Sequence, residues 1–410
     1  MNYLGLYIHV PFCRSKCRYC DFNSFSNRDN TIPTYFSSLG REALLWAKYL
    51  TNARIQTIYF GGGTPSFAGA INIASILTIV KSTLNIADVK EITIEANPDS
   101  VDSNMVTRLI EININRLSLG IQSFDNDLLA MLGRPHNSEK AIEAFRSART
   151  AGFRNISIDL LYGLPNQTLE QWESTIETSI GLAPEHISLY ALTLDPNTGM
   201  ARDITGGLLP YPDPDLAADM YMVAQEALSA ASYENYEISN WALPGYECQH
   251  NMNYWNNGDY IGLGAGAHSH YQENRFSNIK DPDDYINSLR CKSRKLPDSL
   301  LAELPRVREW REMLEKGWQV MTFEAMDKET RLADRIILGL RQARGINLIA
   351  LLNENDTGLD SRYTEAVKML SEIGLIEGTS DSLRLSLRGR LLSNEVFQYF
   401  LRPDKAAPVR

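Results

Sequence analysis

The chain has 410 residues, 44% of them hydrophobic and 22% charged, with a formal net charge of −10. That length exceeds one ordinary core and predicts two domains, or a barrel with an appendage. The acidic balance excludes a nucleic-acid binder held by a general basic field, and no apolar run reaches the roughly 20 residues of a membrane span.

The opening MNYLGLYIHVPFC has no basic flank, long apolar core or small-residue cleavage site, so it reads as neither a secretion signal nor a transit peptide. A cytoplasmic protein is expected. Short β-type runs then recur at 4–12, 55–63, 91–98, 116–124, 155–165 and 186–194. Helical stretches alternate with them, at 33–50, 70–84 and 138–152, the last closing on a glycine suited to a C-cap. Six strand–helix units in a row predict parallel strands with right-handed crossovers, in a barrel or open barrel. Residues 195–216 are rich in proline and glycine and read as a long loop, followed by a helix over 213–233. The stretch 233–270 is dense in aromatics, Asn and Gly. Residues 329–400 read as a small unit, with helices over 331–342 and 363–376 and a strand or two before a helix in 383–401. Helices with a short β-wing suggest a winged-helix type.

Each early strand ends in unusual chemistry: a cysteine cluster, then GGGTP, EANP, GIQSF, DLLYGLP and YALTL. In a (β/α) barrel the loops after the strands gather on one face, where such enzymes work. Turn-forming explains the glycines and prolines. It does not explain polar Glu95, Gln122 and Asp159 at the ends of apolar strands.

Three of five cysteines, Cys13, Cys17 and Cys20, fall in CRSKCRYC. A disulfide framework is not expected from an odd, lopsided set in a reducing compartment. Structural zinc sites use four ligands, commonly with C-x2-C pairs, and no second pair follows; Cys248 and Cys291 stand alone. Soft thiolates suit iron–sulfur clusters. On a four-iron cubane, three cysteines leave one iron open for a small molecule.

The run YIHVPFCRSKCRYCDF, with C-x3-C-x2-C and Tyr19 before the last cysteine, resembles the cluster loop of the radical S-adenosylmethionine (SAM) superfamily. The resemblance implies a partial (β/α)6 TIM-like α/β barrel over 1–235, a [4Fe–4S] cluster on Cys13, Cys17 and Cys20, and SAM on the free iron. Reduction of such a centre cleaves the sulfonium bond of SAM and yields a 5′-deoxyadenosyl radical. It also implies that Gly62, Gly63 and Thr64 hold the methionine end, that Glu95, Gln122, Arg134 and Asp159 contact the amino acid and nucleoside, that Tyr7 and Phe22 flank the cluster, and that Ala191 touches the adenine.

Within that superfamily YIHVPFC, GGGTPS, EANPDS, LSLGIQSFDNDLLAMLGRPH, ISIDLLYGLPNQT and LYALTLDPNTGM resemble the coproporphyrinogen III oxidase-like family. Its oxygen-independent oxidases (HemN) typically carry a fourth cysteine where this chain has Phe22, and an N-terminal extension for which Cys13 leaves no room. Both departures favour the HemW-type haem chaperones, with coproporphyrinogen III decarboxylation as the alternative. HNMNYW (250–255) matches the H-N-x-x-Y-W of that branch, whose histidine is implicated in haem binding; neutral imidazole is a common axial ligand. The resemblance thus implies haem at His250, with Tyr254 and Trp255 against the macrocycle. Cys248 reads as a buried thiol rather than a second ligand, while His268 and His270 could face either ligand. No catalytic residue is assigned. The implied organisation is a barrel (1–235), a connecting region with HNMNYW (236–300) and a HemN-like, mainly helical winged-helix-type domain (301–410). The implied partners are haem, acceptor haemoproteins such as respiratory enzymes, an electron donor and a transient membrane contact, without nucleic acid. RVREWR (306–311) reads as a solvated helix face.

Overall fold

The computed structural model describes residues 2–290, 320–354 and 361–401. Cys291, the 306–311 cluster and the expected 300/301 boundary lie outside them. Six parallel strands run β1 (Asn2–Val10), β2 (Ala53–Gly62), β3 (Glu91–Ala96), β4 (Arg116–Gln122), β5 (Ile156–Tyr162) and β6 (His186–Ala191). They lie side by side in chain order. The crossovers carry α1 (Ile32–Ala47), α2 (Ala70–Thr83), α3 (Ser103–Glu111), α4 (Asn126–Leu132), α5 (Ser138–Ala151) and α6 (Leu169–Leu182). This is the expected open α/β barrel.

Its edges are extended by later strands. Beyond β6, β7 (Glu234–Glu237) and β8 (Asn240–Ala242) add antiparallel. On the other side β9 (Tyr260–Leu263) pairs parallel with β1, and β10 (His268–Tyr271), β11 (Asn274–Asn278) and β12 (Val320–Ala325) continue antiparallel. The strands of 234–278 therefore belong to the barrel's own sheet. Buried Glu42 on α1 locks this addition, accepting from the Gly264 amide at 2.8 Å, Asn278 at 2.9 Å and the Tyr285 hydroxyl at 2.5 Å.

Strand alternation explains the layers. Leu6, Ile8, Ile58, Phe60, Ile92, Ile94, Leu117, Leu119, Ile158, Leu160, Ile187 and Leu189 are buried in one core, on the face covered by helices. The opposite parity is polar. Tyr7 pairs with Tyr59, Tyr59 with Thr93, and Thr93 with Arg116. One layer up, Glu95, Ser118, Ser157 and His186 pair in sequence; above it, Gly120, Asp159 and Ser188 do. Barrel interiors are commonly filled by branched apolar side chains; this one is a polar chamber.

Within the expected long loop 195–216 the structure forms a helix, α7 (Gly199–Thr205). Thr198 caps it by accepting from the Ala201 amide at 3.2 Å, and Met200 and Ile204 bury against Leu161 and Leu164. Two turns between proline and glycine pairs carry too few periodic positions to register as a helix. The predicted helix that follows is α8 (Pro214–Ala230), capped by Asp213. Next come α9 (Gln249–Trp255) and α10 (Pro282–Arg290). The C-terminal unit comprises α11 (Lys328–Leu340), α12 (Leu348–Glu354), α13 (Ser361–Glu372), the hairpin β13 (Ile376–Thr379) and β14 (Ser382–Leu385), α14 (Leu387–Leu391) and α15 (Ser393–Gln398). It has a separate apolar core that includes Leu332, Ile336, Leu370, Leu383 and Phe400, and matches the expected helical, winged form. No helix of the described residues is long and apolar enough to cross a membrane.

Candidate functional site

The loop after β1 carries the cysteines and is pinned on three sides. The Cys13 amide donates to Phe25 O at 2.9 Å, the Phe25 amide to Pro11 O at 2.7 Å, and the Arg18 amide to Leu132 O at 3.0 Å. Lys16 Nζ ties its far limb through Phe22 O at 3.2 Å and Ser24 O at 3.3 Å. Arg18 also pairs with Asp203 on α7. All three thiols are free, Cys13 buried and Cys17 and Cys20 partly so. Thr64 Oγ1 donates to Cys13 Sγ at 3.5 Å, Arg134 Nη1 to Cys17 Sγ at 3.3 Å, and Cys20 Sγ lies 3.8 Å from Ser24 Oγ. Burial pushes the Cys13 and Cys20 thiols up. A thiol of that kind is protonated until a metal displaces the proton.

Among the described residues no three His, Cys, Asp or Glu side chains are gathered for a single metal ion. The three cysteines instead rim one cavity of about 490 Å³. A polynuclear cluster fits this donor set: three soft sulfurs and, among the described residues, no fourth thiol at the rim. Phe22, two residues after Cys20, is 64% exposed. Cys248 is remote from the rim. It is fully buried and bonded to Glu91 Oε1 at 3.6 Å, and burial pushes its thiol up to about 12.

The same cavity is lined by Phe22, Gly62, Gly63, Thr64, Glu95, Gln122, Arg134, Asp159 and Ala191. GGGTP continues the β1 pairing, with the Gly63 amide donating to Val10 O at 2.9 Å and Thr64 to Phe12 O at 2.8 Å. Gly62 has φ +116°, and a Cβ there would meet the His9 ring at 2.4 Å, so only glycine fits. Its amide donates to Glu95 Oε2 at 3.1 Å, while the Tyr59 hydroxyl donates to Glu95 Oε1 at 2.9 Å. Burial pushes the Glu95 carboxyl up to about 7. Gln122 sits at a bulge with φ +72° that turns it over the strand end. Arg134 Nη2 donates to Asn97 Oδ1 at 2.6 Å and Gly120 O at 2.5 Å. Asp159 accepts from Ser118 at 2.9 Å and Ser157 at 3.2 Å.

Tyr7 stands behind this wall. Its hydroxyl pairs with His9 Nδ1 at 3.1 Å and its ring stacks on Tyr59, centroids 6.1 Å apart. His9 Nε2 donates in turn to Asn23 O at 2.9 Å, and burial pushes its imidazole down to about 4. His250 lies at the opposite end of the barrel. Helix α9 plugs the N-terminal end of the strands, and Glu91 receives the Gln249 and His250 amides at 3.0 and 3.1 Å. The His250 side chain is buried, with Nδ1 2.7 Å from Thr57 Oγ1 and Nε2 2.8 Å from the Tyr254 hydroxyl. Burial, aided by the Arg116 cation, pushes it down to about 3, so the ring is neutral. Iron ligation by His250 therefore requires one of these hydrogen bonds to break. Tyr254 packs edge-on against Tyr260 at 4.5 Å, and Trp255 lies under Arg341 at 4.5 Å. Neither His268 nor His270 lines the cysteine cavity; His270 Nδ1 is 3.2 Å from Gly258 O.

Sequence reasoning missed Tyr59, Asn97, Arg116, Ser118, Ser188, Tyr190 and Asn251, which line the cavity too. The strand residues share the inward parity of Glu95 and Asp159, so the period-2 rule extended down each strand would have found them.

The Radical SAM superfamily model matches residues 7–178, and the HemN C-terminal domain model matches residues 326–392. "Heme chaperone HemW" of Bacillus subtilis (strain 168) is 33% identical over 396 residues, 96% of this chain and 98% of that protein. "Heme chaperone HemW" of Escherichia coli (strain K12) is 40% identical over 271 residues, 65% of this chain and 69% of that one. The solved structure of coproporphyrinogen III oxidase (HemN) from Escherichia coli, described as a radical SAM enzyme, superposes with a TM-score of 0.80 at 22% identity, covering 97% of this chain and 90% of that one. At that identity the likeness shows the fold.

Proposed function

We infer a haem chaperone, on the premise that the chain belongs to the HemW family of radical SAM proteins. It binds haem and passes it to acceptor haemoproteins, with a [4Fe–4S] cluster and SAM as its resident cofactors. The observation that carries this reading is the single cavity that joins three cysteines, with no fourth at its rim among the described residues, to the polar strand ends. Cys13, Cys17 and Cys20 hold the cluster. When bound, the reduced cluster supplies the electron that can cleave the sulfonium bond of SAM.

In this reading Gly62, Gly63 and Thr64 receive the methionine end of SAM. Glu95, Gln122, Arg134 and Asp159 orient the amino acid and the nucleoside, Phe22 covers the cluster, Tyr7 backs it, and Ala191 meets the adenine. Arg134 ties the sulfur of Cys17 in the cluster loop to the backbone of β4. His250 takes the haem iron by giving up its Tyr254 hydrogen bond. The proposed setting is the cytoplasm, with respiratory haemoproteins as acceptors, a separate electron donor and transient contact with a membrane.

The test is anaerobic reconstitution with iron and sulfide, then haem titration followed by the Soret band and transfer to an apo-haemoprotein. Haem uptake and transfer support the reading. Conversion of coproporphyrinogen III to protoporphyrinogen, read by product mass, would replace it with the enzymatic alternative.

A further inference from the structure

At the floor of the cysteine cavity lies a guanidinium with no hydrogen-bond or ion-pair partner among the described residues. Arg116, the first residue of β4, is only 2% exposed. Among the described residues no hydrogen bond or ion pair to its side chain is formed, and Nε is buried without an acceptor. Among carboxylates, Glu91 acts on it most strongly, yet Glu91 is already engaged by the α9 amides. Two carboxylates that line the cavity on the strands are also engaged, Glu95 by Tyr59 and Gly62, and Asp159 by Ser118 and Ser157. A buried guanidinium whose nitrogens lack hydrogen-bond acceptors is rare in folded proteins. Asn251 on α9 lines the same cavity.

We propose that Arg116, with Asn251, is a carboxylate-recognition site at the barrel floor, and that its ligand is a propionate of haem. The proposal rests on the haem-chaperone reading and specifies how the cargo is held. A planar guanidinium matches a carboxylate with two parallel hydrogen bonds. Among the described residues the other lining cations, Lys16 and Arg134, are engaged at the cysteine end. A single cation at the floor suits a monoanion rather than a phosphate. The alternative source of a carboxylate is the methionine end of SAM, but a group that chelates the open iron is tied to the cysteine end. A propionate arm is flexible, so its carboxylate can reach Arg116 from a macrocycle whose iron is held at His250, the ring that feels the Arg116 cation.

The test uses the full chain, anaerobically reconstituted, titrated with haem and with haem dimethyl ester, with SAM binding measured by equilibrium dialysis. The inference expects the wild type to bind haem roughly tenfold to a hundredfold more tightly than the ester. Arg116→Gln should lose that preference while keeping SAM affinity, and Arg116→Lys should regain part of it. Equal binding of haem and ester by the wild type overturns the inference while leaving the chaperone reading intact; no haem binding at all overturns the reading itself. Loss of SAM affinity in Arg116→Gln with haem unchanged assigns the site to the methionine carboxylate and overturns the inference. If Arg116→Gln does not fold, the haem-to-ester comparison on the wild type still decides.

Discussion

Arg134 donates to the sulfur of Cys17 at 3.3 Å, across 117 residues of chain. An N–H···S hydrogen bond from a cation stabilises the more negative, reduced state of a thiolate-bound cluster. Arg134→Gln should therefore make the cluster's midpoint potential more negative. An EPR-monitored redox titration checks this, and an unchanged potential would mean that the contact does not persist when iron is bound.

Glu95 makes stability and ligand binding depend on pH. Burial raises its folded value to about 7 from 4.5. Its contribution to stability is complete below about 4.5 and disappears as pH rises through 7, on the order of 3 kcal/mol at ~1.4 kcal/mol per unit. Glu95→Gln should flatten that part of the melting profile of the cofactor-free protein. A ligand that brings a cation to Glu95 releases a proton near neutrality, so titration calorimetry in two buffers of different ionisation enthalpy should give different heats for the wild type and matching heats for Glu95→Gln.

His250→Ala empties the barrel floor. The imidazole stacks on Tyr59 with centroids 5.1 Å apart and bonds Thr57 and Tyr254. Its loss should destabilise the protein by about 2–4 kcal/mol, read from denaturant midpoints. The Soret titration of the same variant separates two roles: a lost band assigns iron ligation, and a retained band confines the histidine to closing the barrel.

Gly63 is a packing requirement. An added Cβ would stand 2.8 Å from Phe12 O and 2.9 Å from Pro11 C, both backbone atoms. Gly63→Ala should cost about 1–3 kcal/mol and lower iron content after reconstitution. Gly181, in helix α6 with nothing within 4 Å of the added carbon, is the control; Gly181→Ala should stabilise by about 0.5–1 kcal/mol. Equal melting temperatures for the two variants would contradict the close approach.

The strands, their order and the cysteine loop were legible because each rests on a local rule. Short β-type runs marked six strands, and Gly152 marked the end of α5, where it acts as the cap. The polar strand ends pointed to one mouth, and the cavity contains Glu95, Gln122 and Asp159 together. Helix α7 escaped because two turns give too little periodicity. The placement of HNMNYW escaped because a motif carries no depth: the same six residues could lie on an exposed loop or, as here, plug a barrel.

By itself the amino-acid order determined a trio of soft donors within eight residues and the alternation that builds the barrel, since both depend on neighbours along the chain. Only the tertiary structure decided that Arg116 is buried with no hydrogen-bond or ion-pair partner among the described residues, and that His250 closes the floor beside it. Those facts depend on the register of β3 against β4 and on a helix more than a hundred residues downstream in sequence, distances over which side-chain pattern carries no information until the chain has folded.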